Sequence, residues 1–75
     1  MLDFTPELLL EARTLAGMTT AQLSAAARLS HSQVIRYEGG LRPSAESWAR
    51  LVAVLRSALV QRARSAEKMH KRLAA

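Results

Sequence analysis

Seventy-five residues, nearly half of them apolar, allow one small domain, and a chain this short buries only about 60% of its unfolded surface. No cysteine is present and the two histidines lie far apart without acidic companions at ligand spacing, so disulfides, metal sites and cofactors are excluded as expectations. The formal charge of +5 favours an acidic partner, while the longest apolar run, Leu51 to Leu55, is too short to span a bilayer and Asp3 stands where a secretion signal would be positive.

The elements follow in chain order. Thr5 is a hydroxyl N-cap, Pro6 occupies the first helical position and Glu7 sits where the helix dipole favours an acid, so a first helix is expected from Pro6 to a stop at Gly17. Leu8, Ala12, Leu15 and Ala16 form its expected inner stripe. Thr19 followed by Gln22 makes a capping box that opens a second helix, about Thr20 to Ala27, with Leu23 and Ala27 turned inward. Ser30 followed by Gln33 repeats the device and opens a third, about His31 to Glu38. Only Arg28 and Leu29 separate the second helix from that cap, and so tight a connection forces the sharp crossing of a helix-turn-helix.

Gly39 and Gly40 end the third helix, and Pro43 with Ser44 announces a fourth, whose inner stripe is Trp48, Leu51, Val52 and Leu55. Helical patterning then continues to about Leu73, with Ser57 as the single candidate break and fraying expected beyond about His70. Leu59, Ala63, Ala66, Met69 and Leu73 make a thin apolar stripe there, and Arg62, Arg64, Lys68, Lys71 and Arg72 cover the other faces. The chain is therefore divided at 1–57, a helix-turn-helix domain, and 58–75, a helix that serves as a dimerisation arm or closes the domain as a fifth helix.

Charge is unevenly placed. Residues 1–27 hold Arg13 against Asp3, Glu7 and Glu11, a net of −2, whereas residues 28–75 hold ten basic groups against Glu38, Glu46 and Glu67, a net of +7. A basic half built mostly of arginine is the footprint of a phosphate-rich partner. On a helical wheel His31, Ser32, Ile35 and Arg36 share one face of the third helix, and Gln33, Val34, Tyr37 and Glu38 share the other. Burying Val34 and Tyr37 leaves the arginine-bearing face for a major groove, where Arg36 can read guanine bidentately and Ile35 can meet a thymine methyl.

Leu23, Ser24, Leu29, Ser30, Ser32, Val34, Tyr37 and Glu38 stand in the register of the lambda-repressor/Cro-type (XRE) helix-turn-helix family, which the chain resembles over roughly residues 8 to 56. The resemblance implies an all-α, compact four- or five-helix lambda-repressor-like DNA-binding domain, to which the helical patterning of residues 58–75 adds a helical C-terminal extension. It also implies that His31, Ser32 and Arg36 are base readers, and that Thr20 and Ser30, with Gly40, Leu41 and Arg42 of the loop after the recognition helix, meet phosphate. An ion pair between Arg13 and Glu38 is implied as well; independently, Glu38 on the core side would be costly unpaired, and Arg13 is the only base in the first 27 residues. Three positions depart from the family pattern: Arg28 where glycine is usual, Ser24 for alanine and Thr20 for glutamine.

No nucleophile stands beside a base and an orienting group, no carboxylates are paired and no glycine loop follows a strand, so catalysis is not expected. The expected function is a sequence-specific transcriptional regulator, a small homodimeric repressor or autoregulator reading a palindromic operator in double-stranded DNA. The alternative is an antitoxin or adaptor whose C-terminal helix, 58–75, clasps a partner protein. Either would work in the cytoplasm, on the nucleoid when bound to DNA.

Overall fold

In the computed structural model, which describes residues 3–74, α1 (Pro6–Leu15), α2 (Thr20–Ala27) and α3 (His31–Glu38) pack around the first half of α4 (Ala45–Ala74). The described residues contain no strand, so the molecule is all-α. The local signals set the starts of the helices. The Thr5 hydroxyl accepts from the Leu8 amide at 3.0 Å. Complete capping boxes open α2 and α3, with Thr19 accepting from the Gln22 amide at 3.0 Å and Ser30 from the Gln33 amide at 3.1 Å. Ser44 receives the Ser47 amide at 3.1 Å as α4 begins.

Between four and five helices the structure decides for four, because α4 passes Ser57 without a break and stays helical to Ala74, beyond the fraying point expected at His70. A single serine is a weak helix breaker when its neighbours are Ala, Leu, Arg and Val. Lys71 and Arg72 lie in the last turn, where cations oppose the dipole, and Lys71 approaches Glu67 at 3.8 Å. Thirty residues at about 1.5 Å each give a rod of about 45 Å, which accounts for the 47 Å long dimension of the molecule. No helix is long and apolar enough to cross a membrane among the described residues.

Leu9, Leu23, Val34 and Leu51 are fully buried, and Phe4, Ala16, Ala27, Tyr37, Trp48 and Leu55 complete the core. Phe4, which precedes the first cap, meets Trp48 edge to face with ring centroids 5.3 Å apart, an arrangement favoured by the ring quadrupoles. The inner face of α1 differs from the expected stripe. Leu9 and Ala16 are buried, Leu8 and Ala12 lie at the margin, and Leu15 is 59% exposed. The cause is the ion pair of Arg13 with Glu38, which rolls the row Leu9, Arg13, Ala16 toward α3 and leaves Leu8, Ala12 and Leu15 along the outer side.

Gly17 ends α1 at φ +69°, and a Cβ there would run into the Arg62 guanidinium folded back from α4. Arg28 ends α2 in the left-handed region, φ 58° and ψ 42°, so that its amide and that of Leu29 return to Ala25 and Ser24 carbonyls. A non-glycine residue there costs about 1 kcal/mol. Arg28→Gly is therefore expected to stabilise the fold by up to about 1 kcal/mol, which raises Tm by up to about 4–8 °C in a domain of this size. Thermal unfolding followed by circular dichroism measures it, and an unchanged or lower Tm would show that the Arg28 side chain makes stabilising contacts that offset its backbone strain.

Candidate nucleic-acid interface

The helix-turn-helix is built from α2, the three-residue connection and α3. Ser24 of α2 is buried and returns its hydroxyl to the Ala21 carbonyl at 2.9 Å, which satisfies the polar group where the family carries alanine. Val34 and Tyr37 anchor α3 in the core. With those two inward, His31, Ser32, Ile35 and Arg36 are all exposed, and Gln33 joins them at the start of the helix, where its side-chain oxygen receives the Ser30 amide at 2.9 Å.

One contact is not foreshadowed by either helix alone. Thr20 Oγ1 lies 2.8 Å from His31 Nε2, joining the first residues of α2 and α3 across the mouth of the motif. The bond restrains the imidazole at the exposed end of α3 and ties Thr20, an expected phosphate contact, to His31, an expected base reader. The signal was the equivalence of the two positions, since each directly follows a capping residue and the two helix starts converge.

Ser30 is committed to its cap, but its oxygen also lies 3.3 Å from the Ser32 hydroxyl, so the two form a small polar cluster beside His31. The loop that follows α3 turns through Gly40 at φ +117°, a conformation that favours glycine, whereas Gly39 has ordinary helical angles. The Gly40 and Leu41 amides donate to the carbonyls of Tyr37 at 3.1 Å and Arg36 at 2.9 Å. Those amides thus close the end of α3, and the loop's contribution toward an anion is its shape and the exposed Arg42 side chain. Nothing crowds the space beside Gly40, which leaves its backbone open to close approach.

Behind this surface, Arg13 holds α1 to the end of α3. Its Nη2 lies 2.9 Å and its Nε 3.0 Å from Glu38 Oε1, Nε also reaches Oε2 at 3.2 Å, and Nη1 donates to the Met18 carbonyl at 3.0 Å. The two side chains are only 19% and 12% exposed. A planar fork that engages both a carboxylate and a backbone carbonyl sets the angle at which α3 leaves the core. Among the described residues no His, Asp or Glu cluster has the arrangement of a metal site.

A family model described as Helix-turn-helix, of the lambda-repressor/Cro type, matches residues 9–60. The match begins at the buried Leu9 and ends where α4 leaves the body of the domain. No curated protein and no solved structure gives a match. With the family model covering more than half of the chain and the motif's two capped helices crossing as described, the chain belongs to the lambda-repressor/Cro-type (XRE) helix-turn-helix family of DNA-binding transcription regulators.

Proposed function

We propose that the protein is a sequence-specific transcriptional regulator that acts as a homodimeric repressor or autoregulator on a palindromic operator. The observation that carries this reading is the division of α3, with Val34 and Tyr37 buried and His31, Ser32, Ile35 and Arg36 exposed together. Such a helix fits a major groove, which admits one α-helix and distinguishes every base pair. The proposed phosphate set lies at the two ends of that helix, Thr20 and Ser30 at its start and Arg42 after it, with Gly40 and Leu41 shaping the loop past which the DNA backbone would run. Two copies related by a two-fold axis would read half-sites about 34 Å apart.

Selection of bound sequences from a random duplex pool at near-physiological salt tests this. An inverted repeat bound by two chains is the expected result, with a salt slope that reports at least about three phosphates per dimer. No enrichment, or a shallower slope, would overturn it. In that event the antitoxin or adaptor reading takes over, since α4 beyond Leu59 is exposed on every face and offers a helix to a partner protein.

A further inference from the structure

Two exposed apolar features lie end to end along α4. The first is a groove of about 270 Å³ between α1 and α4, floored by Leu8, Ala12, Leu15, Trp48, Val52, Leu55 and Leu59 with Glu11 and Arg56 at its rim. It is smaller than the usual small-molecule site and almost wholly apolar, which suits it to side chains rather than to a metabolite. The second is the stripe Ala63, Ala66, Met69 and Leu73 on the projecting part of α4, where Met69 is half exposed and Leu73 80% exposed. Leu59 belongs to both: it ends the groove and begins the stripe.

We propose that each copy of this chain lays the end of its α4 into the α1/α4 groove of a second copy, so that two identical tail-in-groove contacts form the dimer. This names the surface used by the homodimer proposed above and rests on the dimeric part of that reading alone. Three observations favour a second copy as the occupant. The stripe and the groove share one face of α4, because residues 52, 55, 59, 63, 66 and 73 recur at helical spacing, so antiparallel α4 rods bring each stripe onto the other's groove. With the two-fold axis near Ala63, the partner's Met69 falls by Leu59 and Leu15, and the partner's Leu73 by Val52 and Leu8. Ala63 and Ala66 allow the rods to approach closely at the centre.

Length and charge agree with that arrangement. From Leu59 to Leu73 a helix spans about 21 Å, enough to run the length of α1 at about 15 Å for its ten residues. On the α1 side Glu11 lines the groove and Glu7 lies one turn before it on the same helix, with Arg56 the cation at the α4 rim, whereas the tail carries Arg62, Arg64, Lys68, Lys71 and Arg72 against Glu67. Opposite fields on the two surfaces favour pairing and guide its register. Beyond Leu59 and the Arg62 side chain folded onto Gly17, the apolar stripe of α4 is exposed; a helix held by so little packing is marginal in water, and a partner's groove supplies what its stripe lacks.

The test is a complementation measured as mass in solution, with the full chain and two variants at exposed positions, Leu15→Glu in the groove and Met69→Glu in the tail. Wild type is expected to run as two chains. Each variant alone is expected to dissociate at least about tenfold more readily, because both of its contacts carry the defect. Mixed together, differently tagged variants should recover a heterodimer, since the intact tail of the groove variant meets the intact groove of the tail variant. A monomeric wild type would overturn the proposal, and so would Leu15→Glu dimerising as wild type does, which would mean that the tails pair without the grooves. Far-ultraviolet circular dichroism confirms that each variant is folded, and half-site binding by the variants reports DNA reading separately.

Discussion

Glu38→Ala is expected to destabilise the domain by about 2–4 kcal/mol, somewhat less than the roughly 3–5 kcal/mol of a fully buried pair because the two side chains keep 19% and 12% exposure. The charge of Arg13 would remain inside with one carbonyl, that of Met18, as its protein acceptor. Total stability for a chain of this length is about 4–11 kcal/mol, so a loss of this size lowers Tm by at least about 10 °C. Thermal unfolding measures it directly. The double variant Arg13→Met, Glu38→Leu separates two causes: apolar groups of similar volume leave no unpaired charge and should recover most of the loss. A Glu38→Ala loss below about 1 kcal/mol would mean that water screens the pair as it does at a surface. Because the same pair rolls α1 toward α3, the variant should also loosen the outer groove as well as the recognition helix.

Arg36→Ala is expected to weaken binding to the selected operator by about 1–3 kcal/mol, roughly five- to 150-fold, while leaving affinity for random duplex nearly unchanged. Arg36 is exposed on the free side of α3, one turn along from Ser32, and a guanidinium there can take two acceptors from one guanine edge. Arg42→Ala should act differently. Arg42 is exposed on the loop after α3 and is the proposed phosphate contact, so its loss should weaken specific and random DNA alike and reduce the salt slope by about one. Titrations of both variants on both DNAs at several salt concentrations give the comparison. Identical behaviour of the two variants would overturn the assignment of one as base reader and the other as phosphate anchor.

The starts of the helices were legible because their causes are local. A hydroxyl at Thr5, Thr19 or Ser30 bonds an amide three residues on, and those offsets are written in the chain itself. The division of α3 into a buried and an exposed half was legible for the same reason, since Val34 and Tyr37 are its two large apolar groups at inner spacing. The roll of α1 was not. The run Leu8, Leu9, Leu10 offers three phases to the core, and the choice among them is made by Arg13 reaching Glu38 across 25 positions. Phe4 lies outside any periodic segment, so its burial depends on Trp48 being presented by a helix that starts only at Ala45. The bond between Thr20 and His31 likewise exists only once two helix starts converge.

The unbroken α4 has a mechanical consequence. A helix without Pro, Gly or a loop transmits rotation, so the end that leaves the Arg42 loop and the end that carries Leu73 turn as one shaft. If the tails join two copies, the distance and phase between their recognition helices are a dimension of that shaft, as fixed as the spacing of teeth on a gauge. Adding one residue past Ser57 would advance the far end by about 1.5 Å and twist it by about 100°, whereas adding seven would return it nearly to phase. The operator's half-site spacing would then be a length stored in α4, adjustable without touching any residue that meets DNA.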